Sequence, residues 1–351
     1  MVAKRDRKDI RSFSIEDLQI FFVEKGDKTF RAKQVYEWLW KKSARSFDEM
    51  SNLSKETREL LKQNFTFNVV SINSSQVSRD RTIKNSFKLF DDNIVEGVLI
   101  PTSDRMTACI SSQVGCSLTC KFCATGRLER LRNLNAEEIY DQVVLLRNQA
   151  FEKYKAQLTN IVYMGMGEPL LNYKNVLLSI EKITSPEGLN ISPQRITVST
   201  AGIVKMIHKL GDDNVKFNLA LSLHAANDEK RSSIMPINEQ NSLQSLSKAL
   251  QYFYIKTSLR VTYEYIIFKD FNDELSDAIE LVEFCKHIPC KVNIIEYNPI
   301  ENSDFQQTSE NKLNIFTNYL ESKHVIVNVR RSRGKDIDAA CGQLANKLVN
   351  K

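Results

Sequence analysis

Apolar positions in the first 67 residues recur at helical spacing. In "SIEDLQIFFVEKG", Ser14 is placed to cap a helix carrying Leu18, Ile20, Phe21 and Phe22. In "TFRAKQVYEWLWKKSA", Val35, Trp38 and Leu39 fall on one face, and "LSKETRELLKQNF" repeats the pattern behind a second cap, Ser54. The period then shortens. "FKLFDDNIVEGVLIP" reads as two strands about a turn at Asp91-Asp92-Asn93. The expected organisation is a small helical accessory domain over residues 1–90, followed by a larger unit over 91–351.

From Met106 onward, short β-branched runs alternate with helical stretches: "TACIS", "NIVYMG", "RITVST", "FNLALSLH", "RVTYEYIIF", "KVNIIEY" and "HVIVNVR". One intervening helix, "NAEEIYDQVVLLRNQ", has Asn135 as its cap and Glu138 three residues on. Strands separated by helices predict an α/β fold with a parallel sheet, able to curl into a full or partial (β/α) barrel. The unusual residues follow the strands: a cysteine loop, "GMGEP", "STAG", "LHAAND", "YNP" and "RGKDIDAACG". In a parallel barrel those ends converge on one mouth, so segments distant in sequence should face one another.

Length and charge change this picture little. A chain of 351 residues is long enough for a large core with a smaller companion. No apolar run approaches the ~20 residues of a membrane span, and "MVAKRDRKDIRSF" lacks an apolar leader core, so a soluble cytoplasmic protein without membrane association is expected. The net charge of +6 is mild, but the bases cluster: Lys4, Arg5, Arg7, Lys8 and Arg11; Lys41, Lys42 and Arg45; Arg330, Arg331, Arg333 and Lys335. Such patches suit a polyanionic partner and equally an ordinary solvated surface.

The cysteines carry more. Cys109, Cys116, Cys120 and Cys123 place four of the seven cysteines in one short stretch, and in a cytosolic chain such a group points to metal or catalysis. Cys116, Cys120 and Cys123 form C-x3-C-x2-C, which lets one loop turn three thiolates to a common point. Structural zinc would want a fourth ligand, and the nearest histidines, His208 and His224, are remote in sequence. An iron–sulfur cubane accepts three thiolates and keeps one iron open. "GMGEP" fails as a dinucleotide loop, because Glu168 and Pro169 stand where x-x-G and a helix should follow. Cys285 shares a helical face with Ala278, Leu281 and Val282, and Cys290 begins a buried strand; both read as packing cysteines.

Together these motifs resemble the radical S-adenosylmethionine superfamily, which implies a partial parallel barrel of that type. Within it, "SSQVGC…CKFCATG", "MGMGEPLLN", "SLHAAND", "NDELSDA" and "GKDIDAACGQLA" resemble the dual-specificity adenine-C2 methyltransferases of 23S ribosomal RNA and transfer RNA, over nearly the whole chain. The resemblance implies a [4Fe–4S] cluster on Cys116, Cys120 and Cys123, and S-adenosylmethionine held by Gly167, Glu168, Ser199, Ser222, Leu223, His224 and Asn298. It also implies an electron donor such as flavodoxin or ferredoxin. Cys341 would be methylated first and its thioether carbon would reach adenine C2, a carbon with no nucleophilic lone pair. Cys109 would release the product by attacking the Cys341 sulfur, leaving a disulfide, and Glu96 matches the family's proposed proton acceptor. A sibling group that methylates adenine C8 shares these cysteines, with Pro169 favouring the C2 group; a non-catalytic metal-containing RNA-binding protein is the remaining alternative. The family commonly has a glycine where Glu129 stands.

Overall fold

The computed structural model describes residues 7–346; Lys4 and Arg5 lie outside that range. Three helices open the chain: α1 (Ile15–Glu24), α2 (Phe30–Trp40) and α3 (Lys55–Asn64). Both caps read from the sequence form. Ser14 Oγ accepts from the Asp17 N–H while the Asp17 carboxylate accepts from the Ser14 N–H, and Ser54 Oγ accepts from the Thr57 N–H. On α2 the apolar face differs in one place from the expectation. Val35 and Leu39 are buried, but Trp38 is half-exposed, its Nε1 donating to Asn52 Oδ1, and Trp40 takes the interior position, edge-on to Tyr140 at 5.0 Å. Residues two apart on a helix point to opposite sides, so only one of the two indoles can face the core.

The rest of the chain builds one ten-stranded sheet. β1 (Ser71–Val77), β2 (Ile83–Lys88), β3 (Ile94–Pro101) and β4 (Met106–Cys109) form an antiparallel meander. A two-stranded ribbon, β5 (Gln113–Val114) with β6 (Arg132–Asn133), brackets the cysteine loop. The chain continues as α4 (Ala136–Tyr154), β7 (Asn160–Tyr163), α5 (Tyr173–Thr184), β8 (Ile196–Thr200), α6 (Val204–Asp212) and β9 (Asn218–Ser222). It ends with α7 (Asp228–Ile234), α8 (Leu243–Thr257), β10 (Val261–Ile267), α9 (Leu275–Cys285), β11 (Cys290–Glu296), α10 (Glu310–Ser322) and β12 (Val327–Arg330). From β4 through β7, β8, β9, β10 and β11 to β12 every pairing is parallel, and β1 and β12 are the two edges. The architecture is therefore a partial (β/α) barrel with an antiparallel extension. Every residue of β10 is buried, as expected of a strand with the barrel interior on one face and helices on the other.

The division expected at residue 90 falls in the turn between β2 and β3, which pair from Ile83↔Leu99 to Lys88↔Ile94. A short turn can only join antiparallel neighbours, so the strands before it belong to the sheet and the helical unit ends ahead of β1.

That helical unit is stitched to α4 by buried charge. Arg11, expected among the exposed bases, is 4% exposed; its guanidinium meets Asp9 at 3.0 Å and Asp141 at 2.7 Å, and it donates to the Asn68 carbonyl. Asp141 accepts in turn from the Val70 N–H, and Tyr140 donates to the Trp40 carbonyl. The Arg45 guanidinium is likewise spent on the Val70 carbonyl, and Arg7 on the Lys62 carbonyl. A charge run read from sequence cannot distinguish a solvated face from a set of internal anchors.

Candidate active site

The parallel strands all present their C-terminal ends to one cleft of about 880 Å³. Cys116, Cys120 and Cys123 line it from the loop after β4, Gly167 and Glu168 from the turn after β7, Ser199 from the end of β8, and Ser222 and His224 from the end of β9. Glu264 of β10, Arg330 of β12 and Cys341 of the C-terminal loop complete the wall. The convergence expected from strand ends is thus met.

Local backbone geometry fixes the turn after β7. Gly167 has φ +95°, and a Cβ there would stand 2.5 Å from the Gln113 Cβ. Only glycine fits both the left-handed conformation and the close approach. The same glutamine holds the turn, its Oε1 accepting from the Glu168 N–H at 2.8 Å. Glu168 is buried and already bridges two strands: Oε1 accepts from the Leu170 N–H and Oε2 from the Ala201 N–H. Burial pushes its carboxyl up, opposed by those two N–H groups and by the Thr200 hydroxyl. A carboxylate has about four lone-pair sites, and with the Thr200 hydroxyl as a third donor one remains to accept from an amine in the cleft.

His224 is 4% exposed, has φ +57°, and packs edge-on to Phe122 at 4.7 Å. Its Nδ1 accepts from the Ile266 N–H at 3.0 Å. Burial, reinforced by Arg231, pulls its pKa down to about 3. The ring is neutral at physiological pH, and with Nδ1 accepting, its proton is on Nε2. Ser199 Oγ and Ser222 Oγ lie 3.3 Å apart on adjacent strands. Leu223 and Asn298 differ from the rest of the expected set in being absent from the cleft wall; the Leu223 side chain is fully buried in the core, so only its backbone, whose N–H donates to the Glu264 carbonyl, is near the site.

The donor set fits a cluster better than a single ion. Among the described residues, the three loop thiols do not form a group whose ligand atoms all lie within 4.8 Å. Tetrahedral zinc, with Zn–S near ~2.3 Å, would hold sulfurs about 3.8 Å apart. Burial pushes Cys116 up to about 11 and raises Cys120 and Cys123 as well, as expected of thiols that ionise only against a metal centre. Arg231 lies behind this loop. It is fully buried, donates to the carbonyls of Leu223, Ala201 and Ser222 and to Asn238 Oδ1, and among the described residues has no carboxylate in ion-pair contact. A buried cation acting on Cys120 suits an anionic thiolate cluster. Nothing in the sequence pattern singled out Arg231, because its helix is short and its burial comes from the loops around it.

Cys341 stands between this cleft and a neighbouring cavity that Cys109 lines. The loop carrying it is tied on every side: the Gly342 carbonyl accepts from the Ala124 N–H, Asn298 Nδ2 donates to the Cys341 carbonyl at 3.3 Å, and Thr125 Oγ1 donates to the Leu344 carbonyl. Asn298 Oδ1 is buried without a hydrogen-bond partner, leaving an acceptor for a ligand. Burial and the nearby Cys341 push Cys109 up to about 12, and burial raises Cys341 as well, with Arg330 offsetting part of both shifts. Arg330, read from sequence only as part of a basic patch, is thus a cation that acts on both thiols, held at 3.3 Å from Glu264. Arg331 and Lys335 of that patch pair with Glu296.

Glu96 is fully buried in an ion pair with Lys84 at 3.1 Å, which excludes a solvated strand carboxylate. It lines neither cavity; its Oε2 accepts from the Ala345 N–H at 2.9 Å, four residues beyond Cys341. All seven cysteines are free thiols, so Cys109 and Cys341 face a common cavity without being bonded. At Glu129 the backbone has no left-handed φ and the side chain is exposed, while its carbonyl occupies the space a Cβ on Gly115 would need, 1.9 Å away. The glycine requirement in this loop is met by Gly115.

Two family models match the chain: the ribosomal RNA large subunit methyltransferase N-terminal domain over residues 8–67 and the radical SAM superfamily over residues 110–282. A probable dual-specificity RNA methyltransferase RlmN of Cytophaga hutchinsonii is 65% identical, covering 98% of this chain and 94% of that protein. One of Christiangramia forsetii is 59% identical over 98% of each. The crystal structure of a radical SAM methyltransferase from Sphaerobacter thermophilus superposes with a TM-score of 0.90 at 36% identity, covering 96% of this chain and 99% of that one. Family models, identity and fold agree, and the chain belongs to the radical S-adenosylmethionine enzymes of the dual-specificity RNA methyltransferase RlmN family.

Proposed function

We propose that this protein methylates C2 of an adenine in 23S ribosomal RNA and in transfer RNA, with Cys341 carrying the methyl carbon to the base. The observation that carries the reading is the position of Cys341 in the wall between the cleft of the three loop thiols and the cavity of Cys109. Cys116, Cys120 and Cys123 would hold a [4Fe–4S] cluster, and Glu168, Ser199, Ser222, His224 Nε2–H, Asn298 and the backbone at Gly167 and Leu223 would hold S-adenosylmethionine. When bound, the two together supply a methyl group and, on one-electron reduction by a flavodoxin- or ferredoxin-like donor, a carbon radical.

This chain's residues do the rest. Cys341 Sγ accepts the methyl group and presents it across the wall, and the Ala339, Ala340 and Gly342 neighbours leave room for a base. A target adenine must be unstacked to enter. Release then follows from thiolate attack: Cys109 Sγ bonds to Cys341 Sγ, the sulfur–carbon bond breaks, and the electron pair passes to the departing carbon, leaving a disulfide that external thiols reduce. Arg330, acting on both thiols, favours the thiolate that this step needs. Glu96 reaches the C-terminal loop through Ala345 and is the second candidate, beside Cys109, to take the C2 proton. The helical unit before β1, with exposed Lys8 and Lys41, is assigned to RNA phosphates. We place the protein in the cytoplasm, where these RNAs are; no helix among the described residues is long and apolar enough to cross a membrane.

The test is an anaerobic reaction of reconstituted protein with labelled S-adenosylmethionine and ribosomal RNA, with the nucleoside identified by mass spectrometry. 2-Methyladenosine is expected. 8-Methyladenosine would move the chain to the sibling chemistry, and a reconstituted cluster with no methyladenosine would overturn the RNA assignment.

A further inference from the structure

At the opposite end of the barrel from the cleft, α9 ends at Cys285 and, after a short turn, β11 begins at Cys290. The Cys290 thiol donates to the Cys285 carbonyl at 3.7 Å, and the two thiols are close enough to perturb each other. Both line a surface cavity of about 600 Å³ that shares no residue with the cleft. Lys286, Lys323 and His324 line the same cavity. Cys290, expected to be a buried packing residue, is half-buried and open to that cavity, because it stands at the first position of its strand rather than within it.

A second observation comes from behind the pair. Tyr263, on the adjoining strand, is fully buried and its hydroxyl has no hydrogen-bond partner. The charges that act on it are those of Cys290 and Cys285. A buried hydroxyl without an acceptor costs about 1–3 kcal/mol. The hydroxyl lies in the field of both sulfurs and is bonded to neither.

We propose that Cys290 and Cys285 form a thiol–disulfide exchange site for an anionic low-molecular-weight disulfide, separate from the methyl-transfer site. Cys290 is the attacking thiol and Cys285 the resolving one. The interaction with Cys285, helped by Arg260, holds Cys290 below the ordinary thiol range, while the same interaction and burial hold Cys285 above it. Cys290 Sγ attacks one sulfur of the ligand disulfide, that S–S bond breaks, and one thiolate leaves and is protonated. Cys285, freed from the thiolate beside it, then loses its proton and attacks Cys290 Sγ, expelling the second thiolate. The two cysteines lose two electrons and two protons, and the ligand disulfide becomes two thiols. Lys323 at the cavity mouth, with Lys286 shared with Glu283, favours a ligand bearing carboxylates, and the new bond would tie the end of α9 to the start of β11.

The experiment is anaerobic treatment of the holoenzyme with glutathione disulfide, followed by alkylation and peptide mapping, with iron content followed in parallel. The expected course is glutathione on Cys290 first, then a Cys285–Cys290 disulfide, with iron unchanged. Cys285→Ala and Cys285→Ser should both stop at the Cys290 mixed disulfide. The neutral bis(2-hydroxyethyl) disulfide should react roughly tenfold more slowly than glutathione disulfide at low salt, the gap closing at high salt. Cys290 reacting no faster than Cys285, or the same lasting adduct in wild type and in both Cys285 variants, would overturn the exchange site. Equal rates for the charged and neutral disulfides would overturn its anionic specificity.

Discussion

Arg11→Met separates two readings of the same residue. As one of a run of N-terminal bases, Arg11 would contact RNA phosphate. In the fold it is the cation between Asp9 and Asp141, with side chains 1%, 3% and 5% exposed, and it joins the helical unit to α4. Methionine keeps the stem and removes the charge, leaving two buried carboxylates facing each other across the gap. Removing one partner of a buried ion pair costs about 3–5 kcal/mol, chiefly because the remaining charge is left uncompensated. For a chain of this size that corresponds to a fall in Tm of roughly 4–7 °C. Because the pair lies between two units, the loss should also expose the segment joining α3 to β1 to protease. Urea unfolding, thermal unfolding and limited proteolysis of the full chain measure this. Adding Asp9→Asn and Asp141→Asn to Arg11→Met should recover at least half of the loss, since the uncompensated charges go with it. RNA binding, followed against salt at a temperature where the variant is folded, should keep its slope, whereas Lys41→Ala should flatten it. A stability change below about 1 kcal/mol, together with a salt slope reduced by about one, would refute the buried-anchor argument and restore the phosphate contact.

Cys109→Ala should accumulate a covalent protein–RNA adduct detectable by denaturing gel; normal turnover in that variant would remove Cys109 from product release. Gly167→Ala should abolish methylation and weaken S-adenosylmethionine binding by at least an order of magnitude in a binding titration, because the new Cβ meets Gln113 at 2.5 Å on a left-handed backbone. Glu137, buried beside Asp9, has its pKa raised by burial from 4.5 to about 7. The folded state therefore holds a proton that the unfolded state gives up, and the chain should lose stability as pH rises from about 4.5 to 7. Glu137→Gln should accordingly be more stable than wild type at pH 8, by up to about 3 kcal/mol, and indistinguishable from it near pH 4; no difference at pH 8 in urea unfolding would contradict this.

The local signals in this sequence were sufficient wherever the deciding interaction is local. Ser14, Ser54 and Asn135 announce helix starts because a cap is made within four residues. The alternation of β-branched runs with helical stretches announces a parallel sheet, and the rule that strand ends converge then gathers Cys116, Cys120, Cys123, Glu168, Ser199, Ser222 and Cys341 at one mouth before any coordinate is known. Spacing alone carried the three loop thiols proposed as cluster ligands, because three residues within one loop need no tertiary contact to be near one another.

Other features depended on which distant group each side chain met. Arg11 and Arg330 carry the same charge and were read alike, yet one is an internal anchor and the other the cation beside two thiols, since burial and partner are set by chain segments over a hundred residues apart in one case and more than sixty in the other. Glu96 looked like a strand carboxylate with a choice of roles, and only the packing of β2 against β3 gave it Lys84. Trp38 and Trp40 could not be ranked until α4 supplied Tyr140. Arg231 and Tyr263 gave no sequence signal at all: one matters because it is a cation enclosed by carbonyls, the other because its hydroxyl was left without an acceptor. Sequence determined the elements, their order and the ligands that share a loop, because those follow from backbone periodicity and short-range hydrogen bonds. Tertiary structure decided protonation, charge pairing and which thiols meet, because those energies depend on desolvation and on distances that no local pattern encodes.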